Sequence, residues 1–260
     1  MAIITLISDW GLKDHYLGAV KGTILSQIPE TTIVDITHLI PSFDIQQASF
    51  ILKNCYFNFP KGTVHIIGVN TEASIKSPHT AIEYDGHYFI GADNGVFALI
   101  FDNEPEKIIE LNLIQDSDYF TFSTRDVFVK AAVHLANGNK IEELGLERKA
   151  LNDRMHIKAV VEKSMIRGSV IYVDAYENVI TNIRESLFKE IGKSRRFNIY
   201  FRTPGYEINQ LSLSYNDVVL GEKLALFGST GFLEIAINQG KASSLLGLKM
   251  NDVVRIEFDD

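Results

Sequence analysis

SDWGLKDHYLGAVKG, residues 8–22, is the stretch that decides the fold of this chain. It directly follows the short apolar run 3–7, and from Tyr16 onward apolar side chains recur with the period of an α-helix. This order predicts a strand, a polar turn and a helix. Asp9 and Asp14 then lie at the carboxyl end of a strand, where open α/β sheets bind their ligands. Such carboxylates can accept hydrogen bonds from ribose hydroxyls or hold an ammonium group, and they are equally common as helix caps.

The composition limits the class of protein. The 260 residues suffice for one large domain or two modest ones, and the net charge of -8 argues against a protein that follows nucleic-acid phosphates. The single cysteine, Cys55, cannot form an intrachain disulfide, which fits a reducing compartment and leaves no cysteine framework for zinc. The first apolar run is too short for a signal peptide, and no run approaches the length of a membrane span. We therefore expect a cytoplasmic protein that binds a small molecule, with no nucleic acid or membrane as partner.

The first part of the chain alternates strands and helices. Apolar runs at 32–36 and 64–69 predict further strands of a mostly parallel central sheet, so that the opening residues form a βαβ unit. Asp44 is placed to cap a helix over 45–54, and Phe43 before it is either a hydrophobic staple or part of a pocket wall. The pattern also predicts, in order, a hairpin turn at 85–86, a surface connection over 102–110 and a helix over 127–137.

The second part of the chain shows strands alone. Its segments are short, alternate in polarity or are wholly apolar, and are separated by Gly, Asn or Asp turns, which is typical of a barrel or a sandwich. They are residues 159–161, 169–173, 179–183, 196–201, 223–227, 232–237 and 253–258. We predict an N-terminal α/β domain over 1–155 and a C-terminal β-barrel domain over 156–260, with the boundary in a polar segment.

A turn in the second part, DAYENVITNI at 174–183, puts Asp174 and Asn178 together ahead of a strand. An Asn side chain offers the donor and the acceptor that an adenine edge needs. Together with the pattern SDWG-x2-D-x7-KG near the start, this turn resembles the S-adenosylmethionine hydroxide adenosyltransferase family, which includes the fluorinase and chlorinase enzymes. Four further segments extend the resemblance over nearly the whole chain: VDITHLIPSFD at 34–44, ADNG at 92–95, STRDVF-x2-AA at 123–132 and GSTGFLEIAINQG at 228–240.

The resemblance implies an N-terminal α/β domain, a C-terminal β-barrel domain and a homotrimer that binds S-adenosylmethionine between the N-terminal domain of one subunit and the C-terminal domain of its neighbour. S-adenosylmethionine is then the substrate, and neither a cofactor nor a metal ion is implied. Carried over to this chain, the binding residues are Asp9 for both ribose hydroxyls, Asp14 for the amino-acid end, Phe43 for the wall beside the sugar, Asp174 for the methionine ammonium, Asn178 for adenine, Tyr215 for stacking on adenine, and the backbone near Ser229, Asn238 and Gln239. For the two aromatic residues the alternative is packing in the core.

The reaction of the family is a displacement at the ribose C5′, in which water or a halide attacks and methionine leaves. The sulfonium is already a good leaving group, so the protein mainly positions the nucleophile in line and removes its solvent. In the branch that uses water, an Asp and an Arg from a V-D-P-G-V-G-type loop and a His from an F-H-G-R-D motif are thought to prepare the water.

This chain departs from that pattern at all three positions. Asn70 stands in place of the Asp, no Arg follows it, and Ser123 stands in place of the His. An Asn side chain cannot act as a base. The nearby candidates for the missing Arg are Lys76 and His79. The candidates for the base are Glu72 and His79, of which His79 titrates in the useful range.

Thr124 occupies the position at which fluorinase has a halide-binding Ser and chlorinase a Gly. Its hydroxyl can donate to a halide or to a water, and Ser123 or Thr124 can at the same time cap the following helix. Glu177 stands where the family usually has Gly, and a Glu with positive φ would be strained in the adenine turn.

The first hypothesis is a hydrolase that gives adenosine and L-methionine, with the water held by Asn70, Ser123 and Thr124. One alternative is a protein that binds the nucleoside without turnover, and another is a halide-dependent adenosyltransferase. A metal-dependent hydrolase is disfavoured because the candidate ligands lack a paired spacing. Those ligands would be Asp9, Asp14, His15, Asp35 and His38.

Overall fold

A computed structural model of the protein describes residues 2–115, 120–152, 158–202, 205 and 207–259. The chain forms two compact units, Met1–Met155 and His156–Asp260. None of the helices in the described ranges has the length and apolar character that a membrane crossing needs.

The first unit is built on one sheet, which has seven strands within the described residues. They are β1 (Ile3–Ser8), β2 (Thr32–Thr37), β3 (Val64–Gly68), β4 (His79–Tyr84), β5 (His87–Ala92), β6 (Lys107–Leu111) and β7 (Gly145–Glu147). Their order in space is β2-β1-β3-β5-β4-β6-β7. β1, β2, β3 and β5 run parallel, whereas β4, β6 and β7 pair antiparallel. The sheet is therefore mixed, and the prediction of a mostly parallel sheet holds for one half of it.

The antiparallel half begins at the hairpin between β4 and β5. Asp85 and Gly86 form its two-residue turn with φ of 49° and 71°. Two positive φ values are what a type I′ hairpin turn requires, so the predicted turn is confirmed. The predicted surface connection over 102–110 is wrong, because β6 lies within it. Ile108 and Ile109 are buried there between charged neighbours, which masked the strand in the sequence.

Helices cover both faces of this sheet, because the side chains of its strands alternate between two apolar clusters. Ile4 and Leu6 of β1 belong to one cluster and Ile7 to the other. The helices are α1 (Tyr16–Gln27), α2 (Ile45–Lys53), α3 (Val96–Ile100) and α4 (Val129–Ala136). α1 and α4 contribute to the cluster of Ile4, and α2 and α3 to the cluster of Ile7. The unit is thus a three-layer α/β/α arrangement.

Of the two predicted helix starts, that of α2 is confirmed and that of α4 is not. The cap of α2 is confirmed, because the carboxylate of Asp44 accepts a hydrogen bond of 3.0 Å from the backbone N–H of Gln47. The start of the helix predicted over 127–137 is wrong in detail. A π-helical turn, Thr124–Phe128, precedes α4, and Ser123 makes no side-chain cap.

The second unit is built on an antiparallel sheet. Its strands are β8 (Val160–Glu162), β9 (Met165–Val173), β10 (Val179–Arg184), β11 (Phe197–Phe201), β12 (Lys223–Phe227), β13 (Phe232–Ile237) and β14 (Val253–Phe258). The order is β11-β14-β9-β10-β13-β12, with β8 paired to β9 outside this path. Every predicted strand of this part is present, with small shifts at its ends.

This sheet is curled, so that both of its edges contact the same segment of chain. Ile208 forms an isolated antiparallel bridge with Ile199 of β11, and Leu211 forms an isolated parallel bridge with Ala225 of β12. No strand pairing joins β11 directly to β12 within the described ranges. The predicted β-barrel is therefore present in part, as a curled antiparallel sheet.

Among the described residues of the second unit, two α-helices interrupt the strands, α5 (Glu185–Gly192) and α6 (Ala242–Leu246). The prediction of strands alone is wrong at these places. Leu187, Phe188 and Ile191 lie on one face of α5 and pack against the apolar core of the unit. The helical spacing is present in the sequence, but it spans only two turns between strands.

Two buried histidines face each other at the amino ends of β3 and β5. His65 Nδ1 lies 2.7 Å from the hydroxyl of Thr5, and His65 Nε2 lies 3.3 Å from Nδ1 of His87. The rings of Tyr56 and Phe89 pack around them. Burial, with a smaller effect of His87, lowers the pKa of His65 from 6.5 to about 3. Burial also lowers the pKa of His87. Both imidazoles are therefore neutral in the folded protein at physiological pH.

This histidine pair predicts a loss of stability in mild acid. The unfolded chain protonates His65 at an ordinary pKa of 6.5 and the folded protein only near pH 3, so stability is retained above pH 6.5 and lost as the pH falls toward 3. We expect the free energy of unfolding to fall by up to about 1.4 kcal/mol per pH unit for this residue. Urea unfolding at pH 5, 6 and 7 measures the slope. In the His65→Gln variant the free energy of unfolding should change less steeply with pH, whatever its value at pH 7. An unchanged slope would contradict the role of His65.

Candidate functional site

Asp9 directly follows β1 and is partly exposed at the carboxyl end of the sheet. Its Oδ2 accepts a hydrogen bond of 2.8 Å from the backbone N–H of Phe43. Its Oδ1 makes no hydrogen bond with the described residues. Asp14 lies in the same turn, is exposed, and forms no hydrogen bond or ion pair within the described ranges. Since α1 begins at Tyr16 without a side-chain cap, neither carboxylate serves as the helix cap that the sequence allowed.

Phe43 is presented to solvent in an unusual backbone conformation. Its φ is 66°, and 70% of the residue is exposed, so it does not pack in the core. A non-glycine residue in the left-handed region costs roughly 1 kcal/mol or more, and such strain is concentrated at functional sites. The bond from its N–H to Asp9 and the hydrogen bond from Ile45 N–H to its carbonyl, 3.0 Å, hold the conformation.

Trp10 anchors the turn that carries Asp9. Its ring lies against Gly68 at the end of β3, where a Cβ would come within 2.5 Å of Trp10 Cζ2. Only a glycine fits beneath the indole at this position. The indole also contacts Phe122 edge-on, with 5.7 Å between ring centroids. Because Phe122 directly precedes Ser123, this contact brings the Ser123 segment against the Asp9 turn.

The ADNG segment at 92–95 supports the loop that follows β3. Asp93 is fully buried, and its Oδ2 accepts hydrogen bonds of 2.9 Å from both Arg148 Nη1 and the backbone N–H of Asn152. Burial raises the pKa of Asp93 against the opposing effects of Asn152 and Arg148. The side-chain amide of Asn94 donates a hydrogen bond of 2.9 Å to the carbonyl of Asn70. The segment thus fixes the backbone at Asn70.

Asn70 is exposed and has a φ of 49°, which Asn and Asp tolerate better than most residues. Glu72, a predicted replacement for the missing base, and Lys76, a candidate for the missing Arg, are both exposed. His79 is partly buried, and its Nε2 lies 2.9 Å from the carbonyl of Thr71. A carbonyl only accepts, so this nitrogen carries the proton and cannot take another. Burial lowers the pKa of His79 despite that hydrogen bond.

Ser123 and Thr124 lie at the start of the π-helical turn and are buried. The hydroxyl of Thr124 is fully buried and makes no hydrogen bond with any described residue. The alternative that either side chain caps the helix is therefore wrong. A buried hydroxyl without a partner costs about 1 kcal/mol or more, and π-turns are frequent at functional sites. Thr124 offers an uncommitted donor and acceptor beside the Asp9 turn.

In the second unit, Asp174 and Asn178 bind each other. Asp174 Oδ1 accepts hydrogen bonds from the backbone N–H groups of Tyr176 and Asn178, at 2.9 and 2.8 Å. Its Oδ2 accepts one of 3.1 Å from the side-chain amide of Asn178. The sequence predicted separate roles for these two side chains. With its amide donating to Asp174, the Asn178 side chain has a carbonyl oxygen left for a ligand.

Glu177 adopts the positive φ that its place in the turn demands, at 64°. Contacts with α6 and the residue before it stabilise this conformation. The Glu177 carboxylate accepts hydrogen bonds from Lys241 Nζ at 2.8 Å, and from the backbone N–H and the hydroxyl of Ser244. The hydrogen bonds from Lys241 and Ser244 lower the pKa of Glu177. Glu therefore replaces Gly here without loss of the turn.

Glu234 is a residue of this region that the sequence analysis missed. It is buried in β13, and its Oε1 accepts a hydrogen bond of 2.6 Å from the hydroxyl of Tyr215. Its Oε2 lies over Gly228, where a Cβ would come within 2.9 Å. Burial raises the pKa of Glu234, and the charge of Asp174 adds to this, whereas Tyr215 lowers it. The sequence did indicate this residue, because Glu234 is the single charged residue in the apolar run FLEIAI at 232–237.

The other residues predicted to contact the substrate in this unit differ in how exposed they are. Asn238 is buried, and its side-chain amide donates a hydrogen bond of 2.8 Å to the carbonyl of Val218, so this side chain serves the fold. Ser229 and Gln239 are exposed, and Gln239 has a φ of 52°. Tyr215 is 42% exposed and therefore does not pack wholly in the core.

The metal-site alternative finds no support in the described part of the chain, which contains no group of three or more candidate ligands in reach of one ion. Asp35 forms an ion pair of 2.5 Å with Lys21. His38 is held by Ser8, and His15 is exposed against the ring of Tyr16.

Comparison with protein families gives two matches that together span most of the chain. The family described as SAM hydroxide adenosyltransferase N-terminal domain matches residues 4–145, and the one described as SAM hydroxide adenosyltransferase C-terminal domain matches residues 168–255.

Known relatives agree in length as well as in sequence. An (R)-S-adenosyl-L-methionine hydrolase of Thermus thermophilus is 29% identical over 98% of this chain and 100% of its own length. A fluorinase of Nocardia brasiliensis is 23% identical over 98% of this chain and 96% of its own. The crystal structure of an uncharacterized conserved protein from Thermotoga maritima superposes with a TM-score of 0.88 at 31% identity, covering 98% of this chain and 99% of that one.

The pair Tyr215 and Glu234 predicts a pH-dependent effect of Tyr215→Phe. Without the hydroxyl, the buried Glu234 loses the hydrogen bond that lowers its pKa, so its charged form becomes less stable. A folded-state pKa raised above the unfolded value of 4.5 costs stability as the pH rises through it. We expect a loss of about 1.5 kcal/mol at pH 8 and a smaller loss at pH 4, measured by urea unfolding.

The matched control is Tyr176→Phe, because Tyr176 is 78% exposed and its hydroxyl makes no hydrogen bond with the described residues. Equal losses in the two variants, or a loss independent of pH, would contradict the role of Glu234.

Proposed function

Because the chain belongs to the SAM hydroxide adenosyltransferase family, we propose that it hydrolyses S-adenosylmethionine to adenosine and L-methionine. The observation that carries the proposal is the state of Asp9. One carboxylate oxygen accepts a hydrogen bond from the backbone N–H of Phe43, whose side chain is exposed, and the other makes no hydrogen bond with the described residues. This arrangement fits a ribose, whose vicinal hydroxyls donate to a carboxylate and whose ring face packs on an aromatic wall.

The proposed reaction is attack of a water oxygen on the ribose C5′. A C–O bond forms, the C5′–S bond breaks with its electron pair going to sulfur, and the water proton passes to solvent. The positive sulfur becomes the neutral thioether of methionine, so no cofactor or metal is needed to activate the leaving group. What remains for the protein is to orient the water and the sugar and to exclude bulk solvent.

Thr124 is the residue best suited to hold the water. Its buried hydroxyl has no partner in the described structure, and the contact between Trp10 and Phe122 keeps its segment against the Asp9 turn. Asn70 and Ser123 are proposed to assist by hydrogen bonding rather than by taking a proton. Because Nε2 of His79 donates to Thr71, only its Nδ1 could accept a proton, and the proposal assigns no proton transfer to this residue.

The other assignments from the resemblance belong to the same proposal. Asp14 binds the amino-acid end of the substrate, and Tyr215 stacks on adenine. Asp174 and Asn178 act as one hydrogen-bonded unit toward the ammonium and the adenine. Ser229 and Gln239 contribute through their backbone, and Asn238 through its carbonyl oxygen, since its N–H donates to Glu222. The two compact units act as separate domains of a cytoplasmic homotrimer, which light scattering would detect as a mass three times that of one chain.

Two observations keep alternatives open. An uncommitted hydroxyl at Thr124 is also a donor for a halide ion, which favours a halide-dependent adenosyltransferase. The presence of Asn70 and Ser123, neither of which can act as a base at neutral pH, favours a protein that binds S-adenosylmethionine without turnover. Each alternative gives a different product in the same assay.

We predict that the wild-type protein converts S-adenosylmethionine to adenosine and methionine in halide-free buffer, followed by mass spectrometry over time. Asp9→Ala should lower kcat/KM about 100-fold, because it removes a charged hydrogen-bond acceptor of the ribose. Thr124→Val keeps the shape of the side chain and should lower kcat about 10-fold or more by removing the hydroxyl.

The control is Glu30→Ala, an exposed acidic residue after α1, which should leave the rate unchanged. A 5′-halo-5′-deoxyadenosine product that forms only with added chloride or fluoride would replace the hydrolase by the halide-dependent enzyme. Recovery of intact substrate together with a calorimetric binding signal would leave a binding protein. Absence of both binding and turnover would overturn the proposed function.

A further inference from the structure

His38 is buried at the end of β2 and contacts residues on both sides of Asp9. Its Nδ1 lies 2.7 Å from the hydroxyl of Ser8, which directly precedes Asp9. Its imidazole stacks on the ring of Trp10, with 6.2 Å between centroids and 13° between planes. Its backbone carbonyl accepts a hydrogen bond of 2.8 Å from the N–H of Gly11. One residue thus holds the turn before and after the carboxylate.

The other ring nitrogen of His38, Nε2, lies close to the carboxylate of Asp35. His38 Nε2 lies 3.2 Å from Oδ1 of Asp35, without the angle of a hydrogen bond. Burial raises the pKa of Asp35, but Lys21, which donates a hydrogen bond to it, and the neighbouring His38 outweigh this effect, so the pKa is lowered. The carboxylate is therefore ionised at neutral pH, which favours the tautomer with the proton on Nε2. Nδ1 then accepts from the Ser8 hydroxyl.

The order Ser8, His38 and Asp35 matches that of a nucleophile, a base and an orienting acid, yet a nucleophilic role does not fit. The proposed reaction takes its nucleophile from water, so no attack by the Ser8 hydroxyl, which is bonded to His38 inside the fold, is needed. Both ring nitrogens of His38 face groups of the protein, Ser8 and Asp35, so no proton transfer to a substrate is assigned to it. The three residues form a support.

This support also reaches the aromatic wall. The loop that begins at His38 continues to Phe43, whose N–H donates to Asp9 Oδ2. The turn 8–11 and the loop 38–43 are therefore joined at both ends, by His38 at one and by Asp9 at the other. A change at one end moves the carboxylate and the ring together.

We propose that His38 is a positioning residue that holds the Asp9 carboxylate for the vicinal diol of a ribose. The inference rests on the proposed function for the identity of the ligand, but it concerns binding and does not require turnover. His38 does not touch the ligand and acts through the orientation of Asp9. Its effect must therefore depend on the presence of both the carboxylate and the diol.

The test measures calorimetric binding of adenosine and of 2′,3′-dideoxyadenosine, which lacks the diol. His38→Asn removes the contacts with Asp35 and with the Trp10 ring and should weaken adenosine binding about 10-fold, as expected for a displaced charged hydrogen bond. The same substitution should change dideoxyadenosine binding less than about 2-fold, since a group acting through one contact shows no effect when that contact is absent. In the Asp9→Asn background, His38→Asn should likewise add less than about 2-fold.

Two controls complete the design. His134→Asn changes a histidine on α4 that bonds to Lys140 and Glu143, and it should leave both ligands unaffected. Ser8→Ala deletes one hydroxyl and should give about a 3-fold loss for adenosine alone, so the test stands if His38→Asn does not fold.

The outcomes separate the inference from the function on which it rests. If the wild-type protein binds neither adenosine nor S-adenosylmethionine, both are overturned. If the wild type binds adenosine, and His38→Asn or Ser8→Ala weakens adenosine and dideoxyadenosine equally or weakens neither, the inference alone is overturned and the proposed function stands. Where turnover is measurable, the His38→Asn variant should raise KM about 10-fold with kcat changed less than about 3-fold, because a ribose contact is made in ground and transition states alike.

Discussion

The parallel pairing of β1 with β2 and β3 is the constraint on which the site depends. Parallel strands end at the same edge of a sheet, and the register pairs Ser8 with Gly68 and Ile7 with Thr37. The residues that follow these strands must therefore meet. Asp9 and Trp10 leave β1 at the level where His38 leaves β2, and the indole can cover Gly68 because that residue has no side chain. The register of these parallel strands brings the loops of the site together, and the loops carry the side chains that can bind a ligand.

The same edge carries energetic costs that the rest of the fold offsets. Phe43 and Asn70 have positive φ, and the Thr124 hydroxyl is buried without a partner among the described residues. Each feature costs of the order of 1 kcal/mol or more. They persist because the hydrogen bonds of Asp9 and Asn94 fix the two strained residues from outside their own loops. Strain held in this way at one edge is expected where a ligand completes the bonding.

The sequence predicted most of the strands and helices, but few of the irregular turns and of the contacts between distant side chains. β1, α1 and the Asp44 cap followed from periodicity and cap chemistry, because those signals are local. β6 was missed because Lys107 and Glu110 flank its two buried isoleucines, so the pattern resembled a charged loop. The π-turn at Thr124 and the bond from Tyr215 to Glu234 could not be predicted, since both depend on how distant segments pack. Asp174 and Asn178 share one turn, as the sequence predicted, but their mutual hydrogen bond could be seen only in the geometry of that turn.

The replacement of Asp by Asn at position 70 separates the geometry of the loop from its charge. Asn and Asp both tolerate the left-handed backbone found here, with φ at 49°, so the exchange keeps the loop while it removes a possible base. The sulfonium substrate of the proposed reaction makes that loss tolerable. The leaving group needs no protonation, and the attacking water can release its proton after the C–O bond has begun to form. The demand on the protein then shifts from proton transfer to placement of the sugar relative to the water. In the proposed reaction, the contacts between His38, Asp9 and Phe43 would provide that placement, and the unpartnered hydroxyl of Thr124 would hold the water.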